Sequence, residues 1–144
     1  REASQIAARF RFSRDERSRL DELNASRGES IPGMAELALR RSLYMLGSEL
    51  FRELVLLDWA DQIVRDPAAA TTCAPDWKAT WDAAETWQMP DFPLTGADVI
   101  DCGIGQGPEI GEILAEIEEW WVDQAFGPDR DRCLDRLRVV VRRR

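Results

Sequence analysis

Three glycines at alternate positions, Gly103, Gly105 and Gly107, followed by Pro108, form the segment best suited to chemistry done by backbone alone. Glycine adopts positive φ without cost and lets another backbone come close. A helix opened by Pro108 would present amides of partial positive charge, a fit for phosphate. The other role open to this segment is a capped turn joining two core helices. The spacing is not G-x-x-x-x-G-K-[ST], and neither a strand nor a lysine accompanies it, so the pattern is not a nucleotide-binding P-loop. The second group of interest is Arg130, Arg132, Arg136, Arg138, Arg142, Arg143 and Arg144, seven guanidinium groups in the last fifteen residues. Such groups pair with phosphate in a bidentate way and suit a nucleic-acid backbone. Arg136 and Arg138 flank Leu137 and project to different sides of it. Positive charge at a helix C-terminus also has a purely stabilising role.

Other chemistries are excluded by composition. The 144 residues contain no histidine, which removes an imidazole base, a His-assisted nucleophile and His-containing zinc sites. The three cysteines, Cys73, Cys102 and Cys133, form no C-x-x-C pair, and their low, odd number suits a reducing cytosol. Carboxylates spaced three or four apart (Asp58 and Asp61, Asp98 and Asp101, Glu116, Glu119 and Asp123) have the spacing of divalent-cation ligands, but also of a solvated helix face. No D-x-D ends a strand, where a two-metal site would be built, and no metal site is expected. The six tryptophans fall at helical spacings that suit a core better than a stacking platform. Since neighbours on a helix diverge by about 100°, one of Trp120 and Trp121 must leave the buried stripe.

The elements that must position these residues read as helices throughout. Ile6, Phe10 and Phe12 begin an amphipathic stretch. Ser13 and Glu16 make a capping box ahead of Leu20 and Leu23, in a helix closed by Gly28. Pro32 is expected to open a helix lined by Met34, Leu37 and Ala38 and stopped by Gly47. Ser48 is expected to cap the segment Glu49 to Asp66, which is apolar nearly all round and predicts a central core helix. Residues 68–72, all alanine and threonine, read as a loop after Pro67. Pro75 restarts a helix with Trp77, Trp81 and Trp87, and Pro90 and Pro93 mark an extended linker. Thr95 caps a short helix before the glycine turn. The longest periodic run follows, with Ile110, Ile113, Leu114, Ile117, Trp120 and Trp121 on one stripe. Gly127-Pro128 ends it, and a last helix carries Leu134, Leu137, Val140 and Val141. The expected class is all-α: a bundle of about seven or eight helices with a glycine-rich helix-turn-helix hairpin in its second half. Residues 1–89 form one helical module and 90–144 a second.

The string from Pro93 to Ile100, with Gly96 and Asp98, and that from Gly103 through Pro108-Glu109-Ile110-Gly111 to Leu114 resembles a known family. It is similar to the C-terminal body and tail of bacterial class II CCA-adding tRNA nucleotidyltransferases and their poly(A) polymerase relatives. That family shows L-x-G-x-D followed by G-[IL]-x-x-G-P-x-[IL]-G-x-[IL]-L. Here Gln106 stands where the family usually has proline, and Trp120, Trp121 and Phe126 fill its aromatic region. The resemblance implies an N-terminal catalytic domain that uses Mg2+ and ATP or CTP, lying outside this chain. The chain itself would carry no cofactor and no catalytic residue. Its partners would be that catalytic domain and tRNA or another RNA, whose 3′ end it would position for nucleotide addition. Gly103, Gly105, Gly107, Arg136, Arg138, Arg142, Arg143 and Arg144 are then the candidate phosphate contacts, since duplex RNA is recognised through shape, phosphates and 2′-hydroxyls.

Two other functions fit the same residues. One is a helix-hairpin-helix module gripping DNA without reading sequence, and the other a structural or protein-interaction bundle. The chain opens at Arg1 inside a helical pattern, as a piece of a longer protein would. No apolar run approaches the ~20 residues of a membrane helix, and a cytoplasmic, membrane-free protein is expected. The net charge of −8 weighs against a nucleic-acid partner, but it is unevenly spread. Residues 53–129 carry −15, while residues 1–52 carry +2 and residues 130–144 carry +5. The ends can still meet phosphate.

Overall fold

A computed structural model describes residues 12–28 and 32–144, so the amphipathic start at Ile6 and Phe10 lies outside the described residues. The chain divides into two compact units, one up to Gln88 and one from Met89 to Arg144. Eight helices and no strand occur among the described residues.

The first unit holds α1 (Arg14–Ala25), α2 (Glu36–Leu46), α3 (Ser48–Arg65), α4 (Pro67–Thr72) and α5 (Ala74–Thr86). The capping box forms as its spacing predicts: Ser13 N donates to Glu16 Oε2 at 2.7 Å, and Glu16 N to Ser13 Oγ at 3.2 Å. Yet α1 buries no residue. Its order relies on that cap and on ion pairs to α3, such as Arg19 with Glu53 at 2.9 Å. Gly47, at φ +78°, both ends α2 and, in place of the expected Ser48, caps α3, a backbone angle that favours glycine. Leu43, Phe51, Val55, Trp77 and Ala84 form the core, with Trp59 and Trp81 packed against it. Burying a side chain of the Phe51 class stabilises by roughly 1.5–3 kcal/mol.

Three expectations for this unit are corrected. Pro32 lies in a turn, and α2 starts only at Glu36. Residues 68–72 are helical, because Pro67 pre-sets φ at the first position and the Asp66 carboxylate accepts from Ala69 N at 3.0 Å. Helix α3 is not buried all round. Leu50, Phe51, Leu54 and Val55 face the core, whereas Leu56, Leu57, Ile63 and Val64 are exposed.

The second unit holds α6 (Gly96–Asp101), α7 (Glu109–Asp123) and α8 (Arg130–Val141). Ile113, Ile117 and Trp121 recur every fourth residue along α7 and are buried with Val99, Cys133, Leu137 and Val140. Cys133 takes a core position beside Leu137 on α8. Trp121 is the buried member of its pair, and its Nε1 donates to the Pro128 carbonyl at 2.9 Å. Trp120 is half-buried. The turn between α7 and α8 places Ala125 and Phe126 at φ +56° and +63°. Phe126 is held there by its N–H to the Trp121 carbonyl at 3.0 Å and by its ring edge against Trp121 at 5.0 Å. Helices α7 and α8 run antiparallel: Arg136 lies over Trp120, and eight residues further on Arg144 meets Glu112, eight residues back.

Candidate nucleic-acid interface

The glycine turn leaves α6 through a tight set of backbone bonds, Gly103 N to the Ile100 carbonyl at 2.9 Å and Ile104 N to that of Val99 at 3.4 Å. Gly103 stands at φ +96°, so glycine is needed there for conformation. Gly105 and Gly107 have no such need. Neither is at positive φ, and a Cβ built on either meets nothing within 4 Å. Gly111, in the first turn of α7, is equally open, although glycine in a helix costs about 1 kcal/mol relative to alanine. Neither folding nor packing accounts for glycine at these three exposed positions. Gly111 belongs to the sequence motif but not to the candidate phosphate contacts read from it; its lack of any packing partner is visible only in the fold.

The first amides of α7 are less available than the proline-opened start suggested. Ile110 N donates to the Gly107 carbonyl, and Gly111 N and Glu112 N both donate to that of Pro108, at 3.0–3.3 Å. Glu109 and Glu112 also bring carboxylates to this turn. Their charge is offset by Arg144, whose guanidinium lies 3.2 Å from Glu112, 3.6 Å from Glu109 and 3.7 Å from Glu116. The hydrogen bond to Glu112 raises the Arg144 pKa further. Arg144 therefore joins the end of α8 to the start of α7.

The candidate arginines thus separate. Arg142 and Arg143 are exposed and make no ion pair among the described residues, and they follow α8 to the end of the unit where α7 begins. Arg138 pairs with Asp135 at 2.7 Å on an exposed face. Arg136 lies over the Trp120 ring at 5.6 Å, with its Nε buried and without a hydrogen-bond partner. The fold brings Gly103, Gly105, Gly107, Arg142, Arg143 and Arg144 to one end of the second unit, and sets Arg136 and Arg138 further along α8.

Arg130 is taken up by the fold. Its Nη2 donates to Asp98 Oδ1 at 2.5 Å and its Nη1 to the Pro93 carbonyl at 2.5 Å. Asp98 is 8% exposed, and Arg130 together with Thr95 holds its carboxyl down at a pKa of about 2. The signal for the local half of this arrangement was the Thr95-x-x-Asp98 spacing of a capping box. Asp98 is thus an ion-pair partner of Arg130, and no group of three or more His, Cys, Asp or Glu side chains suited to a metal occurs among the described residues. In the first unit a cleft of about 370 Å³ is lined by Arg27, Gly28, Pro32, Asp58, Asp61, Arg65 and Trp77. Its charges serve one another, Arg27 bridging Asp58 and Asp61, and Arg65 pairing with Asp61 at 3.0 Å. No described helix is long and apolar enough to cross a membrane.

Known proteins resemble parts of this chain. An uncharacterized 28 kDa protein in the petA 5′ region of Rhodospirillum rubrum is 33% identical over 102 residues, which is 71% of this chain and 40% of that protein. Mitochondrial CCA tRNA nucleotidyltransferase 1 of Homo sapiens is 32% identical over 54 residues, 38% of this chain and 12% of the enzyme. The Danio rerio enzyme is 34% identical over 56 residues, 39% of this chain and 13% of the enzyme. The chain thus spans two fifths of the Rhodospirillum protein and about an eighth of the nucleotidyltransferases. No family model and no solved structure matches. A part of this chain is therefore related to CCA tRNA nucleotidyltransferases.

Proposed function

We propose that this chain is the C-terminal, tRNA-binding portion of a tRNA nucleotidyltransferase or poly(A) polymerase, and that it positions an RNA 3′ end for nucleotide addition by a catalytic domain elsewhere in the protein. The observation that carries the reading is the sequence relation of more than fifty residues to CCA tRNA nucleotidyltransferases. The geometry suits it. Three glycines without an internal reason to be glycine stand on an exposed turn and helix start, where a sugar-phosphate backbone can approach closely. Arg142 and Arg143 stand at the same end of the unit to meet phosphates. Glycine backbone and guanidinium groups are suited to recognising an RNA duplex by shape and phosphates. Mg2+ and ATP or CTP would belong to the catalytic domain.

Titration of the chain with tRNA at two salt concentrations tests the reading. Affinity is expected to fall as salt rises, since phosphate binding releases counterions. Duplex DNA is expected to compete poorly. Equal competition by DNA would favour a general helix-hairpin-helix module, and absence of binding to either would leave a structural or protein-interaction bundle. Incubation with tRNA and labelled ATP or CTP is expected to give no incorporation, and measurable incorporation would overturn the assignment of catalysis to another domain.

A further inference from the structure

Helix α6 has only six residues, too few to persist without outside support, yet it carries the glycine turn. Leu94 and Val99 seat it by apolar contact, and one carboxylate does the rest. Asp98 Oδ2 accepts from Thr95 N at 2.8 Å, from Thr95 Oγ at 3.0 Å and from Arg130 Nη1 at 3.2 Å, while Oδ1 takes Arg130 Nη2 at 2.5 Å. The same Arg130 holds the Pro93 carbonyl. A single side chain therefore joins the linker, α6 and the first residue of α8. The partners are forked and planar, so the pair sets an angle as well as a distance.

We propose that Asp98, acting through Arg130, is a positioning residue of the RNA interface. It sets where the glycine turn stands relative to the helix that delivers Arg142 and Arg143. This rests on the RNA-binding reading above. The mechanical link is short: the Asp98 carbonyl accepts from Cys102 N, and the next two amides of the turn bond to Ile100 and Val99 within the same helix. At the far end, Arg144 closes the frame by meeting the first turns of α7. Releasing Asp98 leaves the antiparallel α7–α8 pair intact, because Ile113, Ile117, Trp121, Leu137 and Val140 hold it. It frees α6 and the turn to shift together.

The test uses the whole chain with Asp98→Asn and Arg130→Lys. Asparagine keeps an oxygen for the Thr95 amide but loses the charge that holds Arg130; lysine keeps the charge but loses the fork. Amide exchange is followed at Gly103 and Ile104, the two hydrogen-bonded amides of the turn, and in the cores of α7 and α8, and tRNA affinity is measured across several salt concentrations at temperatures where each variant is folded. Exchange in the turn is expected to rise at least about tenfold while the α7 and α8 cores stay protected. Affinity is expected to fall about tenfold, with the salt slope reduced by about 0.7–0.9 for each phosphate that is no longer neutralised. A lower melting temperature with wild-type affinity and slope would overturn the proposal, because Asp98 would then only stabilise the unit. Unchanged exchange in the turn would overturn it as well. If Asp98→Asn does not fold, Arg130→Lys decides the same question. If the wild-type chain does not bind tRNA, the RNA reading fails, and the exchange comparison still decides whether Asp98 sets the turn.

Discussion

Replacing Gly111 with alanine separates what the fold needs from what an external ligand needs. The residue lies in the first turn of α7, is exposed, and a Cβ added there meets nothing within 4 Å. Alanine is the better helix former and removes freedom from the unfolded chain, so the second unit should gain about 0.5–1 kcal/mol. For a domain this small such a gain raises the melting temperature by about 2–8 °C. If Gly111 instead serves a close approach by an RNA backbone, the added methyl group stands in that backbone's path. A three- to tenfold loss of tRNA affinity follows, equivalent to about 0.7–1.4 kcal/mol. Thermal melts and tRNA titrations on the same preparation give both numbers. Stabilisation with unchanged affinity would refute the claim that the open glycines are an RNA surface. Destabilisation would refute the claim that the fold leaves this position free.

Further outcomes follow from other residues. The Asp98 carboxyl is lowered from 3.8 to about 2, so its ionised form favours the folded state. Its contribution, at most about 2 kcal/mol, is complete above the unfolded value and is lost as pH falls from about 4 through 2. Acid unfolding of wild type should therefore be steeper in that window than that of Asp98→Asn. Gly103→Ala, at φ +96°, is expected to cost about 1–2 kcal/mol in a denaturant titration, whereas Gly105→Ala changes stability by less than about 0.5 kcal/mol. Cys133 is fully buried and its thiol pKa is raised by that burial, so a thiol reagent should label Cys73 and Cys102 in the folded chain and reach Cys133 only on unfolding.

Much of the helical frame was legible because its signals are local. The Ser13–Glu16 box, the Thr95 cap, the stop at Gly47 and the periodicity of α7 each involve residues within a turn or two of one another. The misreadings arose where one local signal outweighed another. The alanine and threonine run at 68–72 suggested a loop, but the Asp66 cap and Pro67 start a helix there. Apolar residues all round α3 suggested full burial, yet periodicity counts apolar side chains and not the neighbours available to cover them. Leu56, Ile63 and Val64 remain at the surface. The positions of the candidate glycines could be read directly, but which of them the fold itself requires could not. That distinction depends on φ at Gly103 and on empty space beside Gly105, Gly107 and Gly111.

The amino-acid sequence by itself determined an all-helical chain, a glycine turn ahead of its most regular helix, and a cluster of arginines at its end. Which of those arginines are left for phosphate was decided by tertiary structure alone. Packing α8 antiparallel to α7 brings Arg144 onto Glu109, Glu112 and Glu116, and docking α6 brings Arg130 onto Asp98, 32 residues away. Composition assigns each of these side chains a charge. The partner that neutralises that charge is chosen by which helices lie side by side, and hydrophobic burial along α7 and α8 makes that choice.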